Sequence, residues 1–251
     1  MITPSILYKQ MKNWVAKKDT NNLKGITYIH FDGERALATS GNVMAIVKDW
    51  PSDPHVETPD GIRPSKQDPF PGKFPNYQNL LLPEENRTWK LAVKDPSGIE
   101  ALCKEWKQVF TLIRNLLRRP KETIFPVTLR MHGGKVSAYT ATETMDMKFV
   151  LLEKQEGEDW EQAFSAACLL NAMEFLLATS PKELSIYNGR SQGHKTLHIE
   201  TEDILLLIAG VNVRGGDEWS ARHCRFVNEE RLRDTLADRE AEQQGDEDFL
   251  S

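Results

Sequence analysis

Several stretches carry residue types that do chemistry elsewhere. Gly189-Arg190-Ser191-Gln192-Gly193 matches G-x-S-x-G, the turn that exposes a nucleophilic serine in many hydrolases. That turn needs a strand before it and a helix after it. Here a β-rich run resumes near Thr196, so a hairpin loop is expected and no nucleophile. His194 and His198 are four residues apart, a spacing that unites metal ligands on a helix. They stand at the entry to a strand pattern, where that spacing loses its meaning. Cys103, Cys168 and Cys224 are odd in number and lack metal-site spacing; two fall in helical patterns as small buried hydrophobes. Glu156, Glu158, Asp159 and Glu161 form a solvated charge run with no pairing into a general acid and base. No catalytic residue, metal or cofactor is therefore assigned, and the chain is not expected to be an enzyme.

The basic residues offer a different chemistry. The 251 residues carry a net charge of −5, so contact with nucleic acid must come from a local basic face. On a helix over 98–118, Lys104, Lys107, Arg114 and Arg118 fall within an arc of roughly 80°. Trp106, Val109, Ile113 and Leu117 form the neighbouring arc, which would face a sheet. Such a pairing suits a helix lying on a sheet and turned towards phosphates, although Glu100 shares the basic face. Lys9 and Lys12 pair similarly on the first helix.

The elements that would position these residues follow from hydrophobic period. Residues 3–18 read as a helix, with Thr3 or Ser5 as cap. Ile26–Phe31, Ala36–Thr39 and Val43–Val47 read as strands around a hairpin at Asp32-Gly33. Seven of the thirteen prolines lie from Pro51 to Pro75, which predicts an extended connector ending in a strand or docked segment at Phe74–Leu82. Trp89–Val93 reads as a strand, and Asp95 or Ser97 caps a helix to about Leu117, before Pro120. Val127–Met131, Lys135–Thr140 and Met145–Glu153 read as strands, Phe164–Ala178 as a helix without Lys or Arg, and Leu184–Tyr187, Thr196–Glu200 and Ile204–Ala209 as strands. Asn228–Gln244 is charged and poor in apolar residues, so an exposed helix or tail is expected there. Lys9 and Lys12 interrupt any leader-like segment, and the apolar run Ile204–Val211 is too short to span a bilayer. Together with the unpaired cysteines, this leads us to expect a cytoplasmic protein.

Two fragments carry a resemblance. Ala38-Thr39-Ser40-Gly41-Asn42-Val43-Met44-Ala45 resembles A-T-D-G-x-x-L-A, with Ser40 for Asp and Met44 for Leu. Gly72-Lys73-Phe74-Pro75-Asn76-Tyr77, running on to Pro83, resembles D-G-[RK]-F-P-D-Y-x-x-x-x-P, with Asn76 for Asp. Both are marks of the bacterial sliding clamp, the beta subunit of DNA polymerase III. Phe164-Ser-Ala-Ala-Cys-Leu-Leu-Asn-Ala-Met173 is similar to that family's F-N-x-x-Y-L-L-D-A-L helix. The likeness runs from the first helix to Val213. The family's closing M-P-x-R reads Ile208-Ala209-Gly210-Val211, without the proline and arginine.

The resemblance implies an α+β, clamp-like fold with helices packed on antiparallel sheets. One complete clamp domain, residues 87–213, would follow a partial one, residues 1–86, with its connector at 51–73; residues 214–251 would form a charged C-terminal helix or tail. It implies a DNA replication processivity factor that tethers partners through an apolar peptide pocket. The matching pocket positions are Thr39, Gly41, Val43, Met44, Pro83, Ile208, Ala209 and Gly210. Lys9, Lys12, Lys104, Lys107, Arg114 and Arg118 would face double-stranded DNA without sequence preference. The implied partner is a DNA polymerase or another replication or repair protein with a short clamp-binding peptide. Homo-oligomers of at least three chains would be needed to close a ring, and the short chain suggests a phage or mobile-element source. The alternative is a clamp-like adaptor or inhibitor that does not encircle DNA. The tail, Gln243-Gln244 followed by Gly245-Asp-Glu-Asp-Phe-Leu-Ser251, resembles peptides that bind clamps, although a disordered end is the plainer expectation.

Overall fold

A computed structural model describes residues 2–18, 25–64, 77–117, 126–142, 145–191 and 194–211, together with 224–226, 228–230, 232–233 and 236 of the C-terminal segment. The first run contains helix α1 (Pro4–Met11) and strands β1 (Ile29–Phe31), β2 (Ala36–Thr39), β3 (Val43–Val47) and β4 (His55–Glu57). The second is β5 (Arg87–Val93), α2 (Pro96–Leu117), β6 (Pro126–His132), β7 (Lys135–Ala141) and β8 (Asp146–Leu152). The third repeats that order with β9 (Trp160–Ser165), α3 (Ala166–Thr179), β10 (Leu184–Ser191), β11 (His194–Glu200) and β12 (Ile204–Ala209).

The second and third runs exchange their leading strands. β5 leaves its own run to pair with β10, and β9 leaves its run to pair with β6. Two antiparallel sheets result, one of eight strands in the order β4-β1-β2-β3-β12-β11-β10-β5 and one of four in the order β8-β7-β6-β9. The larger sheet crosses from the first run to the third at a ladder in which Val47 faces Ile204 and Val43 faces Ile208.

The helices pack over one side of these sheets. α2 packs against α3, and α1 touches α3 on its other side. Asp95 caps α2 by accepting hydrogen bonds from the Gly98 amide at 2.9 Å and the Ser97 amide at 3.3 Å, and Pro96 stands where the first turn needs no donor. These bonds, that of Gly98 foremost, hold the Asp95 carboxyl below its ordinary range. Ile99, Cys103, Trp106, Phe110, Ile113 and Leu117 form the buried stripe of α2, at the three- and four-residue spacing of an amphipathic helix. Thr3 is the cap of α1. The left-handed Ser180 (φ 47°), followed by Pro181, ends α3.

Three expectations need correction. α1 stops at Met11, because the chain turns at 12–14 to seat Trp14 in the core. The proline-rich stretch contains β4, a three-residue edge strand held by β1; residues 65–76, including most of the second clamp-like fragment, lie outside the described residues. Phe164 belongs to β9, not to the helix. The acidic spacing before it hid a strand whose first four residues, Trp160 to Ala163, are only half-buried on both faces. The C-terminal segment is exposed as expected at Asn228, Glu229, Leu232, Arg233 and Leu236, but it is pinned to the smaller sheet at a few points. Cys224 is fully buried, and the Arg225 amide donates to Asp146 at 2.8 Å. Glu230 accepts from Arg130 at 3.0 Å, Tyr139 at 2.7 Å and Lys148 at 2.5 Å on the outer face of the smaller sheet. A charged sequence can dock when its acid meets a basic patch.

Two outcomes test this packing. Trp106→Ala deletes a fully buried indole and lowers stability by about 3–5 kcal/mol, seen as a lower urea midpoint. Burial alone would raise the Glu230 carboxyl, but the bonds from Lys148 and Tyr139 and the charges of Lys148 and Arg130 outweigh it and hold it low. Its docking energy is therefore present above the ordinary glutamate range and is lost as pH falls through the lowered value. Hydrogen exchange of the 224–236 amides accelerates on that descent, and Glu230→Gln exchanges fast already at pH 7.

Candidate partner notch and helix face

The β2–β3 turn is built by one side chain. The Thr39 hydroxyl donates to the Val43 carbonyl at 2.7 Å and accepts from the Gly41 amide at 3.1 Å. Gly41 sits at φ 95°, a region that costs glycine little and other residues more. The same turn meets the end of β12, where the Ala209 amide donates to the Asn42 carbonyl at 2.9 Å. Thr39, Gly41, Met44 and Ala209 thus gather at one end of the β2–β3–β12 ladder.

Strand alternation divides the remaining pocket positions. Met44 pairs with Leu207, and together with Leu37, Ile46 and Leu205 they form an apolar cluster on the outer face. Val43 pairs with Ile208, and both side chains belong to the main core beneath the helices. Leu207 and Leu205 are thus outer-face residues that the motif match passed over; the two-residue period of β12 was the signal for them. Gly210 has left the sheet: a Cβ there would lie 2.3 Å from Gln162 Nε2, and the following Val211 amide bonds to Ala163 of β9. Pro83 is exposed on the segment that crosses β10 and β11, away from the turn at Gly41.

That crossing segment covers the outer cluster. Tyr77 is buried against it and Leu80 packs beside it. Among the described residues the buried Tyr77 hydroxyl has no hydrogen-bond partner, a state that costs about 1–3 kcal/mol. Two fixings hold the segment down. The Leu80 carbonyl accepts from Nε2 of His198 at 3.0 Å. Further on, the Asn86 carbonyl lies so close to Gly189 that a Cβ there would approach it to 2.2 Å. The first glycine of the G-x-S-x-G match is therefore a crossing point for backbone, and β10 runs into β11 with Ser191 facing His194 across a hairpin. His194 and His198 share one strand, about 13 Å apart at strand rise.

A polar chain underlies these fixings. Tyr187 stacks on His198 with ring centroids 5.0 Å apart, and Arg87 lies over Tyr187. The Tyr187 hydroxyl donates to Glu200 at 3.0 Å, and Lys48 reaches Glu200 from β3's side at 2.9 Å. Burial raises the Tyr187 hydroxyl, with the Glu200 charge adding to it. Burial would also raise Glu200, but Lys48 and Tyr187 outweigh it and hold it low. Burial pushes His198 down to about 4, against the opposing bond to Leu80.

The helix face is less basic than the arc on α2 suggested. Lys104 pairs with Glu100 at 2.5 Å, Lys107 with Glu174 of α3 at 3.3 Å, and Lys12 with Asp60 at 3.1 Å. Lys9 is exposed and Arg114 half-buried, while Arg118 lies outside the described residues. Leu112 and Leu116 are exposed on the same helix, 45% and 41% open to solvent. Among the described residues no helix is long and apolar enough to cross a membrane.

No protein-family model matches the chain, and no curated protein matches it. Solved structures do. The DNA polymerase sliding clamp of Bacillus subtilis matches with a TM-score of 0.59 and 18% identity over 83% of this chain and 62% of the clamp. The DNA polymerase III subunit beta of Borrelia burgdorferi, in complex with a natural product, matches with a TM-score of 0.59 and 12% identity over 84% and 64%. The sliding clamp of Bartonella birtlesii bound to griselimycin matches with a TM-score of 0.57 and 16% identity over 84% and 65%. The chain thus spans less than two thirds of the length of the clamps it matches. It has the clamp-like fold, with helices on antiparallel sheets.

His198 provides a pH test of the crossing segment. Above about pH 6.5 the ring is neutral in folded and unfolded chains alike. Below that value the unfolded chain takes up a proton that the folded chain refuses until about pH 4, so stability falls across this window and levels off beneath it. The urea midpoint of His198→Asn should change less between pH 7 and pH 4.5 than that of the parent.

Proposed function

We propose that the chain is a sliding-clamp-type protein of DNA replication that tethers partner proteins through the outer-face cluster at Met44, Leu205 and Leu207. The observation that carries this reading is the meeting of the Gly41 turn with the end of β12, which sets an apolar patch beside the crossing segment, whose Tyr77 hydroxyl lacks a partner among the described residues. A short peptide with apolar side chains gains by replacing Tyr77 and Leu80 on that patch, because the displaced hydroxyl regains water. Griselimycin and a natural product are bound by clamps of this fold, which supports a ligand-accepting surface. The partner is a DNA polymerase or a replication or repair protein with such a peptide, and the chain works in the cytoplasm as an oligomer of phage or mobile-element source.

A second reading has its own support. The pairing of Lys12, Lys104 and Lys107 with acids, and the exposed Leu112 and Leu116, favour an adaptor or inhibitor that holds a partner without encircling DNA. Free lysines would bind phosphates with strong salt dependence; lysines already paired gain little.

Two measurements decide. Met44→Ala, in the outer-face cluster and outside the main core, should weaken binding of purified replicative polymerase about tenfold, or about 1.4 kcal/mol, while the far-ultraviolet circular dichroism stays that of the folded parent; unchanged binding removes the notch as the tether. Retention on nicked circular DNA that is lost on linearisation supports encirclement, whereas no retention on either form leaves the adaptor.

A further inference from the structure

The outer face of the larger sheet changes character along one row. Met44, Leu207, His198, Tyr187 and Lys90 are successive cross-strand partners, from β3 through β12, β11 and β10 to β5. Partners in register point to one face, so the row begins in the apolar cluster and ends in a cation. Four strand spacings separate its ends, about 19 Å.

A second cation joins Lys90 because β5 bulges. Asn188 pairs with Trp89 and Gly189 with Arg87, so the register skips Thr88. Strict alternation would send residues 87 and 90 to opposite faces; the extra residue turns Arg87 to the side of Lys90. Arg87 lies over the Tyr187 ring at 4.0 Å, while Trp89 stays in the core. Neither cation is well used. Both reach the same Glu84 oxygen at 3.8 Å, beyond hydrogen-bond length, and the Glu84 side chain is 81% exposed. Among the described residues the buried Nε of Arg87 has no hydrogen-bond partner.

The crossing segment has the matching pattern. Tyr77 and Leu80 rest on the apolar cluster, and Glu84, four positions further on, approaches the cations. We propose that the partner segment taken by the notch is extended and carries an acidic residue about six positions from its apolar ones, a separation that spans the row at about 3.3 Å per residue. Its apolar side chains replace Tyr77 and Leu80, and its carboxylate displaces Glu84 between Arg87 and Lys90. This inference rests on the notch reading and adds to it the chemistry of the partner. Glu84 is fixed on the short turn Glu84–Asn86. A carboxylate arriving from outside is free to settle at hydrogen-bond length from both cations, where such bonds are strong. The cation pair therefore selects. A segment with apolar residues alone fills only half of the row, and one with a basic residue at the far end is repelled.

Binding of purified replicative polymerase to the full chain, read at several salt concentrations, tests this. Lys90→Glu should weaken binding about tenfold and flatten its salt dependence. Glu84→Gln removes the internal competitor and should strengthen binding about threefold. Both positions are exposed, so thermal melts should stay with the parent; a merely structural role for Glu84 would weaken binding instead. Unchanged binding in either variant, or weaker binding with Glu84→Gln, overturns the proposal, and loss with Met44→Ala in the same assay then leaves the notch standing. Unchanged binding with Met44→Ala, or no binding by the parent, strikes the notch and this inference with it.

Discussion

One ladder holds the molecule together as a single object. Strand β3 from the start of the chain and strand β12 from its far end exchange backbone bonds from Val47–Ile204 to Val43–Ile208. The first run has one helix of eight residues and four short strands, too little to close a core of its own. Its inner residues, Ala36, Ala38, Val43, Ala45 and Val47, share one continuous core with Leu206, Ile208 and the helices only because the ladder aligns them. The same bonds bring the Gly41 turn to Ala209, so the candidate notch exists by virtue of the ladder. Its apolar lining is the outer face of strands whose inner face builds the core.

The helical side and the outer side of the sheets have different electrostatic characters. On the helical side the cations are met by nearby carboxylates, Glu100 and Glu174 foremost, and leucines lie open between them. On the outer side the charges are organised into chains that fasten segments: Lys48–Glu200–Tyr187 under the crossing segment, and Arg130–Tyr139–Lys148 around Glu230 under the C-terminal helix. Half-buried, hydrogen-bonded groups of this kind specify position more than they add net stability. Both attachments combine a few polar points with local apolar burial, Tyr77 and Leu82 in the one and Cys224 in the other.

Much of this was legible in the sequence, for local reasons. The six-residue stripe of α2, the proline at its first turn and the Asp-Gly and Gly-Gly hairpins are short-range signals, and the elements lie where they point. The clamp-like fragment at Thr39–Met44 forms the turn it suggests, stitched by the threonine hydroxyl. Strand β9 was not legible, because its alternation is drowned by acids at Glu158, Asp159 and Glu161. The docking of Glu230 was not legible either, since its three partners come from β6, β7 and β8, some 80 to 100 residues earlier. The division of the pocket positions between two faces needed the register of β3 on β12, which no local pattern carries: Val43 and Ile208 went inward, and Leu207 took the outer place.

The order of synthesis gives the ladder a temporal side. As the chain leaves the ribosome, β1 to β3 can form their hairpins at once, because their partners are neighbours. The outer edge of β3 then has no mate until Ile204–Ala209 has been made, well after β3 itself. Throughout that interval a nascent chain presents Val43, Ala45 and Val47 on an open, apolar edge, the kind that joins to strangers. Slow elongation would lengthen the exposure and crowding would punish it. The yield of native protein in a cell would then be set as much by how fast the last strand arrives as by the stability of the finished fold.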